Sequence, residues 1–222
     1  MTTATRNARE VTVSKSVMEQ AAAAAESAIA TRTEADIAAE IEARIQARLE
    51  EAMAAGIERA EFERWWDVWA AGPLQPIGNP PFAPSCVVKA GEPVYAAAVL
   101  VLNPGEPVGP TNAAALLSSL KLPFEIQFQT GNLTTMTPAG TAVTGGNFIN
   151  GVYVYVRVAK LPSANPGMYE TNILARILDA TSGSAPHLGG FASAILDLDN
   201  PSLFGPGPGV NFNQPVRYVV YP

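Results

Sequence analysis

The sequence predicts an α+β protein by segments, with an N-terminal amphipathic helical arm followed by an all-β sandwich of the immunoglobulin-like or jelly-roll kind. All 19 prolines lie after residue 72, whereas the first 72 residues contain only two glycines. Proline and glycine interrupt helices and mark turns, so this shift separates a helical part from a turn-rich part. The first 72 residues also hold 21 charged side chains, against 13 in the rest of the chain. The part predicted to be β is therefore unusually poor in charge.

Four segments are expected along the chain. Residues 1–15 are a flexible leader, in which Val11-Thr12-Val13 alternates too briefly to form a strand without a partner. Residues 16–72 form the helical arm, and residues 73–84 form a proline-rich linker that should be extended. Residues 85–222 form the sandwich domain. We expect this domain to stay folded when the first 72 residues are removed.

The arm is expected to start a new helix near residue 33. Thr31 with Glu34, or Thr33 with Asp36, has the spacing of a capping box, which marks a helix N-terminus. Beyond it, apolar residues recur at every fourth position and charged residues fill the other faces, so the helix is amphipathic. Because this spacing drifts around a 3.6-residue helix, the stripe favours packing against another helix at an angle, or against the neighbouring segment Val17–Ile29, over a long parallel zipper. The stripe consists of Ile37, Ile41, Ile45, Leu49 and Met53.

An aromatic cluster is expected at the end of the arm. Its members recur at three- and four-residue spacings and would share one helix face. The preferred interpretation is that they dock the helix end onto the β domain, because large aromatic side chains dominate burial. Contact with a neighbouring subunit is the alternative, and flanking acidic residues disfavour a membrane-interface belt. The cluster, which completes the predicted assembly interface, consists of Phe62, Trp65, Trp66 and Trp69.

Segments of strand composition follow the linker, and several alternate apolar with polar residues. Turn signals such as Asn103-Pro104-Gly105 and Asn165-Pro166-Gly167 separate them, and one or two helical turns are expected at 113–120. About seven short strands with such punctuation favour a sandwich. The paired cysteines of antibody domains are missing, so an immunoglobulin likeness would be one of architecture only. The segments are 85–89, 93–102, 124–130, 148–160, 169–180, 190–199 and 216–221.

Composition and charge argue against several classes of function. The net charge is −6 and there is no run of lysine or arginine, which argues against a nucleic-acid partner. The single cysteine, Cys86, excludes an intrachain disulfide and a multi-cysteine zinc site. No membrane span is predicted, since no apolar stretch approaches about 20 residues. No cleavable signal peptide is predicted either, because no continuous apolar segment follows the polar N-terminus. We expect the protein to be made in the cytoplasm, with an assembled particle as a candidate final location.

No constellation of residues predicts catalysis, and no cofactor or metal is expected. His187 is the only histidine, and it lacks the motif context of a nucleophile's partner. Asp197 and Asp199 would share one strand face and could supply half of a calcium site. The following Asn200-Pro201 favours a strand end instead.

Two functions of different classes remain. The first is a non-enzymatic structural protein that self-assembles through its helical arm and sandwich into a larger particle, coat or filament of a virion or a bacterium. Its expected partners are other copies of itself, with a scaffold or coat protein as a further candidate, because the arm has a seam to cover and the β domain has few charges. The alternative is a carbohydrate- or peptide-binding sandwich, multimerised by the arm, that uses its loops or a face formed by Tyr153 and Tyr155.

Overall fold

The described part of the chain is mostly β, with few helices. A computed structural model describes residues 33–54, 66–76, 86–102, 113–178, 186–196 and 215–222. Within these ranges the helices are α1, Glu34–Ala54, and α2, Ala113–Ser119. Thr33–Pro222 forms one compact unit. The predicted leader and the arm before residue 33 lie outside the described residues.

Ten described strands form two sheets. The four-stranded sheet has the order β6-β3-β1-β9, and the six-stranded sheet has the order β2-β10-β7-β4-β5 with β8 paired to β7. Most neighbours are antiparallel, but β9 runs parallel to β1 and β2 runs parallel to β10. The strands are β1 Trp66–Leu74, β2 Val87–Lys89, β3 Val94–Leu102, β4 Pro123–Asn132, β5 Thr137–Asn147, β6 Val154–Leu161, β7 Gly167–Leu178, β8 Pro186–Phe191, β9 Ala194–Ile195 and β10 Val216–Tyr221.

The two sheets share one hydrophobic core. Alternate residues of β4, namely Phe124, Ile126 and Phe128, are buried in it, as the apolar-polar alternation of this segment predicts. From the other sheet, β3 contributes small side chains such as Ala96 and Ala98 to the same cluster. Large aromatic rings therefore meet small residues, which permits close packing between the layers. The arrangement is compatible with the predicted β-sandwich.

Strand β3 is buried on both faces. Every residue from Val94 to Leu102 is buried, and the continuous apolar sequence is the pattern of a strand covered on both sides. Tyr95, Ala97 and Val99 belong to a second cluster, on the side of the four-stranded sheet that faces away from the six-stranded sheet. Helix α1 contributes its apolar residues to this cluster, so the described unit has a helix layer and two sheet layers.

Residues 66–72 form a strand, and the prediction that the helical arm extends to residue 72 is wrong there. Trp66 and Trp69 are three residues apart, which places them on one face of a helix but on opposite faces of a strand. Trp66 packs against the core between the sheets, whereas Trp69 lies in the cluster under α1. Because β1 pairs with β3 and β9, tertiary pairing outweighs the local helical spacing. Pro73 and Leu74, expected in the linker, belong to the same strand.

The start of α1 is confirmed at the second of the two predicted capping boxes. Asp36 Oδ2 accepts a hydrogen bond from the Thr33 amide at 3.0 Å, and Thr33 Oγ1 accepts one from the Asp36 amide at 3.2 Å. These reciprocal bonds satisfy amides that have no partner inside the helix. The local sequence is therefore sufficient to fix this helix end.

The predicted strand segments of the β domain correspond to observed strands, with three differences. The predicted segment 148–160 is a strand only from Val154 onward, because residues 148–153 form a turn and loop before β6. The segment 190–199 is interrupted in its described part, because Ala192 and Ser193 separate β8 from β9. Strand β5 is absent from the predicted strands, since its glycine- and threonine-rich sequence lacks apolar alternation. The helical turns expected at 113–120 are confirmed as α2.

Buried tyrosines fix the crossing from β6 to β7. The Tyr169 hydroxyl donates a hydrogen bond to the Asn165 carbonyl at 2.8 Å, and the Tyr218 hydroxyl donates to the Pro162 carbonyl at 2.6 Å. The two rings stack with their centroids 5.2 Å apart. Burial raises the pKa of Tyr218 far above its ordinary value. The turn between the two sheets is thus tied to the core through its backbone carbonyls.

Candidate assembly surface

The predicted helix stripe is buried in the chain's own core. Ile45 is 0 % exposed, and the other described members of the stripe, Ile37, Ile41 and Leu49, are also buried. They share a cluster with Tyr95 and other residues of the four-stranded sheet. The packing partner of the stripe is therefore a sheet of the same chain, whereas the sequence favoured another helix.

The predicted aromatic cluster is not assembled as one face. Trp66 and Trp69 lie on opposite faces of β1. Phe62 and Trp65 lie outside the described residues, as does the side chain of Met53, although its backbone belongs to α1. Of the nine residues predicted to form an assembly interface, those with described side chains are engaged within this chain.

Polar contacts fasten α1 to the edge strand β6. Lys160 Nζ and Glu34 Oε2 form an exposed ion pair at 3.4 Å. The half-buried carboxyl of Glu42 lies near Val158 and Arg157 of the same strand, and burial raises its pKa. The charge of Arg157 and a hydrogen bond with the Val158 backbone oppose this rise. The helix is therefore held by an apolar stripe with polar contacts at its side.

The residues considered for ligand binding or catalysis do not form a site in the described part of the chain. Tyr155 is buried, and its hydroxyl accepts a hydrogen bond from the Ile149 amide at 2.7 Å. Tyr153 is half-buried and packs against the core between the sheets. His187 lies in β8 but its side chain is outside the described residues, as are Asp197 and Asp199. The tyrosine pair therefore presents no exposed binding face.

The outer face of the six-stranded sheet carries exposed apolar side chains in register. Val219 on β10 pairs with Val87 on β2 and with Met168 on β7. These three residues form what we call the apolar row. Their exposed fractions are 58 % for Val87, 43 % for Val219 and 42 % for Met168, although directly opposed side chains in a sheet normally cover one another. Tyr221, two residues along β10, is exposed on the same face.

A second group of exposed apolar residues crosses the same face farther along β7. Leu174 pairs with Phe191 on β8 and with Gln127 on β4, and Gln127 pairs in turn with Val143 on β5. Phe191 and Val143 are both exposed. Apolar groups therefore lie on this face near both ends of β7, and no signal in the sequence indicates that they are neighbours.

Polar groups on the same face form hydrogen bonds and ion pairs with one another. Gln129 donates to Gln127 at 3.0 Å, and Gln127 donates to Glu125 at 2.9 Å along β4. Glu125 also forms an ion pair with Arg176, and Arg217 pairs with Glu170 at 2.9 Å. Each carboxylate of this group is opposed by an arginine, so these contacts leave little net charge to repel a second copy.

Comparisons with known proteins assign no family: no family model matches the chain, and no curated protein matches it. Neither helix in the described ranges has the length and apolar character needed to cross a bilayer. The side chains of the described residues contain no group of three or more histidine, cysteine, aspartate or glutamate residues that could hold a metal ion.

Proposed function

We propose that the protein is a non-enzymatic structural protein that self-assembles into a larger particle, coat or filament of a virion or a bacterium. The observation that carries this proposal is the apolar row on the outer face of the six-stranded sheet. Contiguous apolar surface of this kind marks interaction sites, because its removal from water is favourable. Helix α1 already covers the four-stranded sheet, and the helix stripe is buried there. We therefore assign the assembly contact, which the sequence predicts for this stripe, to the outer face of the six-stranded sheet.

We further infer that the β domain is an immunoglobulin-like sandwich. If β1, β3 and β6 correspond to strands A, B and E, and β4, β5, β7 and β10 to C, C′, F and G, the sheets have the orders E-B-A and G-F-C-C′. These are the strand orders of that fold. The bond from the Tyr169 hydroxyl to the Asn165 carbonyl, at the start of β7, supports this inference, because a tyrosine corner occupies the same place between strands E and F.

The test is the mass of the purified protein, measured by sedimentation and light scattering and combined with negative-stain electron microscopy. We expect regular particles or filaments, or at least oligomers far above the 23.3 kDa of one chain. Val219→Glu places a carboxylate in the centre of the apolar row, so it should lower the mass while the circular dichroism spectrum stays native. Ala164→Glu, in an exposed turn, is the matched control and should leave the mass unchanged. A wild-type protein that stays monomeric would contradict the proposal.

A further inference from the structure

The edge strand β5 is a second self-association site: we propose that two copies join there edge to edge and form one continuous antiparallel sheet. An edge strand presents unpaired backbone donors and acceptors, and another strand can complete them. This contact goes beyond the face contact proposed above, because it uses the backbone of a different strand.

Strand β5 lacks the features that protect the other sheet edges. It has 11 residues, none of them charged, and within the described ranges it pairs only with β4. Short length, charged residues and proline are the usual protections of an edge. At the other edges β2 has three residues and includes Lys89, and β9 has two residues. Strand β6 carries Arg157 and Lys160, and β8 has six residues and begins with a proline. In β5 the only proline, Pro138, lies next to the first residue.

The surroundings of β5 define which part of its edge is open. Arg157 Nε donates a hydrogen bond to the Gly145 carbonyl at 3.2 Å, so this carbonyl is already occupied from the side of β6. Before Gly145, a cavity of about 280 Å³ lies beside β5. Its lining includes Gly140 and Thr141 of β5 and Lys160 of β6. Side chains of β6 therefore leave space beside this stretch, and small side chains of an added strand could enter it.

A second copy of the chain is the partner that fits this edge. If the two-fold axis passes beside Thr141, this residue lies opposite Thr141 of the second copy, and Val143 lies opposite Ala139 of the second copy. Pairs of threonine side chains are favourable across antiparallel strands. Each chain has a net charge of −6, but β5 contains no carboxylate. Two acidic molecules can therefore meet here without placing like charges opposite each other.

The experiment is disulfide trapping in the full-length protein. Cys86 is the only cysteine and is exposed, so Cys86→Ser removes the native thiol at little structural cost. In this background Thr141→Cys should give a disulfide-linked dimer under mild oxidation, with twice the mass of one chain. Ala164→Cys in the same background is the matched control and should give none. Adding Val143→Lys, at a position that is 55 % exposed, should abolish the Thr141→Cys dimer, because a lysine on an edge strand opposes pairing with another strand.

The outcomes separate this contact from the face contact. Absence of a Thr141→Cys dimer, or its persistence with Val143→Lys, would overturn the edge pairing. The Thr141→Cys dimer should persist when Val219→Glu is added, because this substitution affects the face contact only. A failure of the face contact therefore leaves the edge contact intact. If the cysteine variant does not fold, hydrogen exchange of the unmodified protein decides the question. The β5 amides should be better protected at high than at low protein concentration, and equal protection would overturn the proposal.

Discussion

At the scale of single residues, Ile45 fixes the position of α1. It is completely buried in the cluster that α1 forms with the four-stranded sheet. Ile45→Ala should lower the free energy of unfolding by about 2–5 kcal/mol, because it removes buried methyl groups and leaves a cavity. Urea denaturation followed by circular dichroism measures this loss. The exposed Ala39→Ser should change the free energy by less than about 0.5 kcal/mol, and an equally small effect of Ile45→Ala would contradict the docked position of the helix.

Glu42 makes the stability of this contact depend on pH. Burial raises the pKa of its carboxyl in the folded state, against the opposing effects of Arg157 and the Val158 backbone. Between the unfolded and the folded pKa the native protein binds more protons, so stability falls as the pH rises through this window. Glu42→Gln keeps an acceptor for the Val158 amide but cannot ionise, so it should remove this fall.

Thermal denaturation on both sides of the ordinary glutamate pKa, about 4.3, measures the effect of Glu42. The variant should exceed the wild type in melting temperature at neutral pH, and the difference should shrink in acid. Glu40→Gln, on an exposed face of the same helix, is the control and should not reproduce this pH dependence. Identical pH profiles for wild type and Glu42→Gln would show that burial does not raise the pKa of this carboxyl.

At the scale of elements, β1 and β5 show what the sequence can and cannot predict. The capping box and the stripe of α1 depend on local spacing, and so does the prediction of β10, whose bounds match the observed strand. Residues 66–72 satisfy a helical spacing, but their conformation depends on pairing with β3. Strand β5 depends on pairing with β4. Its glycine, alanine, proline and asparagine residues have low strand propensity, and its sequence does not alternate apolar with polar residues.

The sequence does not predict the candidate surface, for a related reason. Val87, Met168 and Val219 are far apart along the chain and become neighbours only through the registers of β2, β7 and β10. An exposed valine or methionine has no significance singly. The stripe of α1, in contrast, is recognisable as apolar, but the sequence does not specify whether a helix, a sheet or another subunit covers it.

The place of β1 in the four-stranded sheet predicts how the chain tolerates truncation. Deleting residues 1–32 leaves the compact unit Thr33–Pro222 intact, so the product should stay folded. Deleting residues 1–72 removes α1 and most of β1, which lies between β3 and β9. We expect this shorter product to aggregate or unfold, because β3 loses its pairing partner β1 and the face that α1 covers becomes exposed.

Circular dichroism and limited proteolysis of the two deletion proteins distinguish these outcomes. The longer product should show a β spectrum with a cooperative thermal transition. A soluble, protease-resistant fragment 73–222 would mean that the β domain folds without β1, as the sequence alone suggests, and would contradict a structural role for that strand in holding the two sheets together.

At the scale of the whole molecule, the face and the edge of the six-stranded sheet have different consequences when they act together. Each proposed contact joins the same surface of two copies, and a single contact of this kind ends at a dimer. Two such contacts on different surfaces, related by different two-fold axes, can link many copies. The size of the assembly should therefore depend on both contacts at once.

Combining the two interface variants tests this dependence. Val219→Glu alone and Val143→Lys alone should each reduce the assembly to a dimer, since each leaves one contact, and the double variant should sediment as a monomer of 23.3 kDa. Sedimentation velocity at one protein concentration compares the three variants with the wild type. A double variant that keeps the wild-type mass would place the contacts on other surfaces of the chain. A double variant that is no smaller than either single variant would show that the two sites do not act independently.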